Sequence, residues 1–152
     1  METVRARFVS GEAYEIGVRQ HHLLVDQPAE AGGGDAAPTP TELFVASLAA
    51  CVAFYAGRYL SRHDLPRDGL AVSADYDMAA DRPARVAAIR LTIQLPDGVP
   101  AARHAPLLAV ASHCTVHNSL TNAPEVSVSL AGPSPAVAPE PGPRPAGPPA
   151  RR

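Results

Sequence analysis

The stretch that decides the fold is "TPTELFVASLAACVAF", residues 39–54. Thr39 can cap a helix, a proline follows it in the first turn, and Glu42 stands three residues after Thr39, where its side chain can close a capping box. The apolar run that follows is typical of a buried core helix. We expect this helix to end near Arg62, because the next residues, "HDLPRDG", break a helical pattern.

Composition limits the class of protein to which this helix belongs. The chain has 152 residues, which suits one domain, and 46% of them are hydrophobic, which is enough for a core. Its net charge is −2 and its 13 basic residues are scattered arginines, so we expect neither a nucleic-acid partner nor a membrane surface. The start, "METVRARFVSG", lacks the apolar segment of a secretory signal, which predicts a cytoplasmic location. The longest apolar run, residues 43–57, is shorter than the roughly 20 residues that cross a bilayer.

Strand-like segments stand on both sides of the predicted helix. Three short runs before it alternate in polarity and predict three antiparallel strands: "TVRARFV", "AYEIGV" and "HHLLVD". Two runs after it, "LAVSADYDMA" and "RVAAIRLTIQL", predict a hairpin with its turn at residues 81–83. A second helix is expected from about Pro100 to His113, and "VSVSL", residues 126–130, is expected to be a last strand. This order of elements predicts the α+β fold class.

The C-terminal end has a different composition. The segment after Leu130, "AGPSPAVAPEPGPRPAGPPARR", is rich in proline and holds almost nothing that could form a core. We therefore predict one folded domain over residues 1–130 and a disordered Pro-rich tail over residues 131–152.

Two cysteines are the candidate reactive groups. Taken alone, Cys51 in an apolar helix is better explained by packing, since free cysteine is among the most buried residue types. Cys114 lies among polar residues in "ASHCTVHNSL". Two thiols that meet in the fold can reduce a peroxide, because one forms a sulfenic acid and the other resolves it as a disulfide. The sequence contains no serine nucleophile elbow, no phosphate-binding Gly loop with lysine and no paired carboxylates, and we expect no cofactor.

The histidines near Cys114 leave two further roles open. His113, Cys114 and His117 could supply a zinc site together with Cys51, although their spacing matches no paired Cys-x-x-Cys signature. Alternatively, His113 or His117 helps to ionise the Cys114 thiol.

The sequence resembles the OsmC/Ohr family in three segments. In that family a Gly-rich loop, a Pro-x-Glu-Leu helix start and a run of small residues lead to the peroxidatic cysteine, and "GGGDAAPTPTELFVASLAAC", residues 32–51, is similar to this segment. "ASHCTVHNSL" resembles the second cysteine motif of the family. "HHLLVDQP" resembles its third strand, where an Asp-x-Pro commonly precedes the loop. The resemblance covers residues 1–130 in the order of the elements.

The resemblance implies a fold, an assembly and an activity. The fold has antiparallel sheets wrapped around a long central helix, and the assembly is an intertwined homodimer with a thiol site at each subunit interface. The activity is the reduction of organic hydroperoxides in oxidative stress defence, with Cys51 as the attacking thiolate, Cys114 as the resolving thiol and an external thiol as the reductant. The alternative is a non-catalytic member of the family that binds a small hydrophobic ligand or senses the redox state.

Two more side chains are assigned to the site from this resemblance. The peroxidases have a glutamate directly after the proline of the helix start, where this chain has Thr41, and Glu42 one residue later is the candidate for that role. They also use an arginine to hold the glutamate and the thiolate. Arg19, at a strand break, is our candidate, and Arg5 and Arg7 are the alternatives.

Overall fold

The computed structural model describes residues 2–132 of the chain. Its strands and helices follow in this order: β1 (Val4–Ser10), β2 (Ala13–Val18), β3 (His21–Val25), α1 (Pro40–Arg62), β4 (Ala71–Met78), β5 (Val86–Gln94), α2 (His104–Ala111) and α3 (Thr115–Thr121). The strands form an antiparallel sheet of order β1-β2-β3 and an antiparallel hairpin of β4 and β5. The predicted α+β class is confirmed. The predicted tail lies outside the described residues, apart from its first two.

Helix α1 begins and ends where the sequence predicts. The Thr39 hydroxyl accepts a hydrogen bond from the Glu42 amide at 3.1 Å, and the Glu42 carboxylate accepts one from the Thr39 amide at 2.7 Å. These two bonds are the predicted capping box, which satisfies backbone donors that the first turn leaves free. The last helical residue is Arg62.

The core lies along one face of α1. Its buried side chains pack against the buried residues of α2 and against Cys114, and half-buried side chains of the hairpin cover the rest; from α1 they are Leu48, Val52, Ala56, Tyr59 and Leu60. By length and composition α1 could also cross a membrane, but a core helix meets the same criterion. The contacts of α1 with α2, α3 and the hairpin are those of a core helix.

The opposite face of α1 has no cover among the described residues. It presents mainly small side chains, such as Ala46, Ser47 and Ala50, and Phe54 lies one turn beyond them. The Phe54 side chain is 60% exposed. Small residues on an exposed helix face allow another helix to approach closely.

The three-stranded sheet also has an uncovered apolar face. Its register places apolar side chains from all three strands side by side: Val4, Ala6, Phe8, Tyr14, Ile16, Val18 and Leu23. The residues between them, including Arg5, Arg7 and Glu15, point to the other face because side chains alternate along a strand. The sheet makes no substantial contact with α1 or the hairpin among the described residues. Residues 2–132 of one chain therefore leave this face without a partner.

The predicted second helix is wrong in its limits, and a third helix follows it. A 3₁₀ turn, Ala101–Arg103, precedes α2, which begins only at His104. Pro106 is then in the first turn of α2, where proline is tolerated because its missing N–H would have no helical partner. The chain turns at Ser112 and starts α3, which the sequence analysis missed because cysteine is not among the usual N-cap residues.

The predicted last strand is also wrong for the single chain. Residues 126–130 form no strand, and the side chains of Val126, Val128 and Leu130 are 80%, 92% and 101% exposed. A strand needs a neighbouring backbone to complete its ladder of hydrogen bonds, and no other part of residues 2–132 pairs with this segment.

Candidate active site

The two cysteines meet in the fold. Cys51 lies in the middle of α1, and Cys114 lies directly before α3. Cys51 packs against the buried cluster that contains Cys114, and the Cys51 thiol is close enough to raise the pKa of the Cys114 thiol. Both cysteines are free thiols. Cys51 is half-buried, whereas Cys114 has no exposed surface. The pair is therefore accessible only through Cys51.

Cys114 is held by the start of α3. Its Sγ atom accepts a hydrogen bond from the His117 amide at 3.5 Å, so the thiol takes the place of the usual N-cap oxygen. Burial raises the pKa of the Cys114 thiol. The His117 amide opposes this rise, and contact with the Cys51 thiol adds to it. The structure thus favours a protonated Cys114 beside the more exposed Cys51.

A hydrogen bond beside the thiols ties α1 to α3. The Tyr55 and Thr115 hydroxyls are 3.0 Å apart. Tyr55 is one helical turn after Cys51, and Thr115 directly follows Cys114. This bond fixes the two cysteine-bearing segments relative to each other. Neither residue was predicted from the sequence, although the spacing of one turn from Cys51 was a signal for Tyr55.

Two apolar clefts meet at His117, and neither cysteine lines them. The first, of about 400 Å³, is bounded by α1, β5 and α2, and its lining includes Val52, Leu91, Ile93, His104, Leu107, Leu108 and Ser112. The second, of about 460 Å³, is bounded by the start of α1, β5 and α3, and its lining includes Phe44, Leu48, Ala88, Ile89 and Leu120. Leu91 and His117 line both clefts. Their walls suit an apolar molecule rather than a charged one.

Glu42 lies away from the thiols of its own chain. It precedes Cys51 by nine residues, which at about 1.5 Å of rise per residue separates their Cα atoms by roughly 13 Å. Its carboxylate is bound to the Thr39 amide, which lowers the pKa of Glu42. The structure gives Glu42 a capping role, and its catalytic role stays a prediction.

Arg19 is also remote from the thiols within one chain. It lies in the turn between β2 and β3, with φ at 55°, in the sheet that does not pack on α1. It lines a polar cleft of that sheet together with Arg5, Arg7, Glu15 and His22. If the Arg19 guanidinium holds the Cys51 thiolate, it must do so from another subunit. This assignment stays a prediction.

The zinc site has no support among the described residues. Within residues 2–132, no group of three or more His, Cys, Asp or Glu side chains is placed to hold a metal ion. The His113 side chain is exposed, and its Nδ1 atom is 2.8 Å from the Ala109 carbonyl oxygen. His113 therefore has a partner of its own in α2.

A comparison with protein families identifies the family to which this chain belongs. The model of the family described as OsmC-like protein matches residues 32–129, which include both cysteines and the segments that position them. The chain belongs to the OsmC-like family.

Solved structures of the OsmC-like family share the fold of this chain. An osmotic stress induced and detoxification response protein from Psychrobacter arcticus 273-4 is 23% identical with a TM-score of 0.72, over 78% of this chain and 88% of that one. An organic hydroperoxide resistance protein from Elizabethkingia anophelis is 19% identical with a TM-score of 0.62, over 81% and 91%. The organic hydroperoxide resistance protein OsmC from Legionella pneumophila is 20% identical with a TM-score of 0.56, over 78% and 88%. A search of curated protein sequences gave no match.

Proposed function

We propose that this OsmC-like protein is a thiol peroxidase that reduces organic hydroperoxides. The observation that carries the proposal is the proximity of two free thiols, one half-exposed on α1 and one buried at the start of α3. Two of the structural neighbours are named organic hydroperoxide resistance proteins. Their low identity limits the comparison to the fold, so the thiol pair is the stronger argument.

Cys51 is the attacking group in this mechanism. Its thiolate attacks the peroxide, an S–O bond forms, the O–O bond breaks, and the alcohol leaves with a proton, so that Cys51 becomes a sulfenic acid. Cys114 then attacks the Cys51 sulfur, a disulfide forms and water leaves. An external thiol reductant returns both cysteines to thiols. The division of roles follows from exposure, because a peroxide can reach Cys51 but not the buried Cys114.

The proposed working form is a homodimer. One chain leaves the apolar face of the three-stranded sheet and the small-residue face of α1 exposed, and a second copy of the chain can cover both. An exposed apolar face of this kind marks an association surface. In such a dimer Arg19 and Glu42 could approach Cys51 of the other subunit, which is the arrangement that their catalytic assignment requires.

The test is a mass and thiol measurement with one equivalent of an alkyl hydroperoxide at neutral pH. Wild type should lose two thiols rapidly, Cys114→Ser should stop at a Cys51 sulfenic acid, and Cys51→Ser should consume no peroxide. The two serine variants serve as matched controls because each keeps one thiol. Full peroxide consumption by Cys51→Ser, or two unchanged thiols in wild type, would refute the peroxidase proposal.

The two apolar clefts favour a second candidate function. A non-catalytic protein of this fold could bind a small hydrophobic molecule in clefts of about 400 and 460 Å³. Native mass spectrometry of protein purified from cells would then show a retained ligand. A consistently empty protein that consumes peroxide would reject this candidate in favour of the first.

A further inference from the structure

The three-stranded sheet is joined to the rest of the chain by the loop of residues 27–38. Among residues 2–132 the sheet makes no substantial contact with α1 or with the hairpin of β4 and β5, so packing against them does not fix its direction. A loop of this length can span roughly 40 Å when extended. Since the 23 residues of α1 extend over roughly 35 Å, a flexible loop would let the sheet reach any part of its own α1.

The two ends of this loop are instead joined to each other. Asp26 directly follows β3, and its amide donates a hydrogen bond to the Pro38 carbonyl oxygen at 3.3 Å. Pro38 stands two residues before Pro40, the first residue of α1. The end of the sheet and the start of the helix are therefore connected directly by backbone, and the loop between them is closed.

The Asp26 carboxylate holds the interior of the closed loop. The residue is 3% exposed, and its carboxylate accepts hydrogen bonds from the Gln27, Gly34 and Ala36 amides at 2.8, 3.0 and 3.1 Å. The Ala36, Gln27 and Gly34 amides lower the pKa of Asp26, so the carboxylate is charged at neutral pH. It forms no ion pair within residues 2–132. Because a buried charge is costly unless it is hydrogen-bonded, the carboxylate favours the loop conformation that supplies these amides.

Gly33 allows the loop to close. A Cβ atom at this position would overlap the Gln27 carbonyl oxygen. The Gly33 amide donates to the Pro28 carbonyl oxygen at 3.2 Å, and the Asp35 amide donates to the Gln27 carbonyl oxygen at 3.1 Å. A side chain at position 33 would therefore force the loop apart without changing the Asp26 carboxylate.

We propose that Asp26 is a positioning residue that fixes the three-stranded sheet relative to α1. The closed loop keeps the sheet from folding back over the small-residue face of its own α1, so the apolar face of the sheet remains available to a second copy of the chain. Arg19, in the turn between β2 and β3, is held together with the sheet. The inference rests on the homodimer of the proposed function and adds the residue that prevents a closed monomer from replacing this dimer.

The first measurement is the distance between the sheet and α1 within one chain. Spin labels are attached at Glu12→Cys, in the turn between β1 and β2, and at Ser61→Cys, near the end of α1, after the native cysteines have been replaced by serine. An excess of unlabelled chain restricts the signal to distances within one chain. The two loop variants are Asp26→Asn and Gly33→Ala. The matched control is Asp35→Asn, which changes an exposed carboxylate of the same loop.

The unmodified loop should give one narrow distribution of distances, and Asp35→Asn should retain it. Asp26→Asn removes the charge and one acceptor oxygen, and Gly33→Ala introduces the overlapping Cβ atom, so each should broaden the distribution several-fold. Circular dichroism shows whether a variant folds, and Gly33→Ala provides the test if Asp26→Asn does not fold. A broad distribution with the unmodified loop, a narrow one in a folded loop variant, or equal broadening in Asp35→Asn would overturn the inference.

The second measurement is the dissociation constant of the dimer for the same three variants. The fraction of chains in the binding orientation enters once for each copy, so a decrease to about one third raises the dissociation constant about tenfold. We expect an increase of about this size or more for Asp26→Asn and Gly33→Ala, and none for Asp35→Asn. A broadened distance with an unchanged dissociation constant would refute the role of Asp26 in assembly.

The two measurements separate this inference from the proposed function. A wild type that is monomeric at every concentration would refute the homodimer and the assembly role with it, whereas the distance within one chain decides independently whether Asp26 fixes the sheet. Neither measurement depends on peroxide reduction, so a negative result for Asp26 leaves the peroxidase proposal standing.

Discussion

At the scale of single residues, the Sγ atom of Cys114 has two roles. This sulfur is close enough to the Cys51 thiol to be influenced by it, and it also caps α3 by accepting from the His117 amide. The sequence indicated both cysteines as reactive candidates from their local motifs. It could not show that they touch, because their contact depends on how α3 folds back along α1, and it could not place Arg19 or Glu42 relative to them.

The buried Cys114 thiol makes stability dependent on pH on the alkaline side. Its pKa in the folded chain is raised above the ordinary value of 9.0, so the folded state holds this proton more tightly than the unfolded state does. The corresponding stability is fully present below about pH 9 and is lost as the pH rises through the higher folded value. Thermal unfolding of the reduced protein, measured from neutral pH to beyond pH 9, should show this loss.

Cys114→Ala is the control for that measurement. It lacks the titrating group, so its melting temperature should fall less between neutral and alkaline pH than that of wild type. Parallel curves for the two proteins would contradict the prediction.

At the scale of elements, local sequence patterns correctly predicted the helix and strands whose hydrogen-bond partners lie in the same chain. The capping box fixed the start of α1, and the alternation of polarity gave the two antiparallel sheets. The limits of α2 were misjudged because the first residues of the predicted helix form a 3₁₀ turn and the chain turns at Ser112, before the predicted end at His113. Residues 126–130 alternate like a strand, but alternation does not reveal whether a neighbouring strand exists.

The capping box gives a prediction for α1. Thr39→Ala removes the hydroxyl that accepts from the Glu42 amide, and loss of such a cap typically costs about 1 kcal/mol. We expect a decrease of this size in the free energy of unfolding, measured by urea denaturation. Thr41→Ala, two residues further along, is the matched control and should have a smaller effect. Equal losses in both variants would show that the cap is not what stabilises the helix start.

At the scale of the whole molecule, residues 2–132 contain more apolar surface than they cover. The sequence predicted which strand residues share a face, since side chains alternate, but not what covers that face. The structure leaves it open, together with the outer face of α1 and the segment 126–130. The apolar periodicity of one chain does not show whether another chain covers the apolar face.

Two neighbouring leucines on β3 test whether a second copy covers the sheet. Leu23 lies on the apolar face and Leu24 on the polar face, and they are 51% and 40% exposed in the single chain. Burying a leucine contributes roughly 1.5–3 kcal/mol, and a symmetric dimer contains two copies. About half of each Leu23 side chain remains to be buried, so Leu23→Gln should weaken the dimer by about 10-fold or more, whereas Leu24→Gln should not.

The measurement is the dissociation constant from sedimentation or light scattering over a range of protein concentrations. Equal dissociation constants for the two leucine variants would contradict the proposed assembly. A wild type that is monomeric at every protein concentration would contradict it as well.

The unpaired segment 126–130 has a consequence for the newly made protein. Before the proposed dimer forms, a chain presents a strand-like segment with exposed Val126, Val128 and Leu130, as well as the open edges of a sheet with one apolar face. Free strand edges pair readily with other chains, in wrong registers as well as right ones. During synthesis or refolding, correct assembly thus competes with aggregation. Because aggregation commonly involves more than two chains, dilution should favour recovery of the native protein.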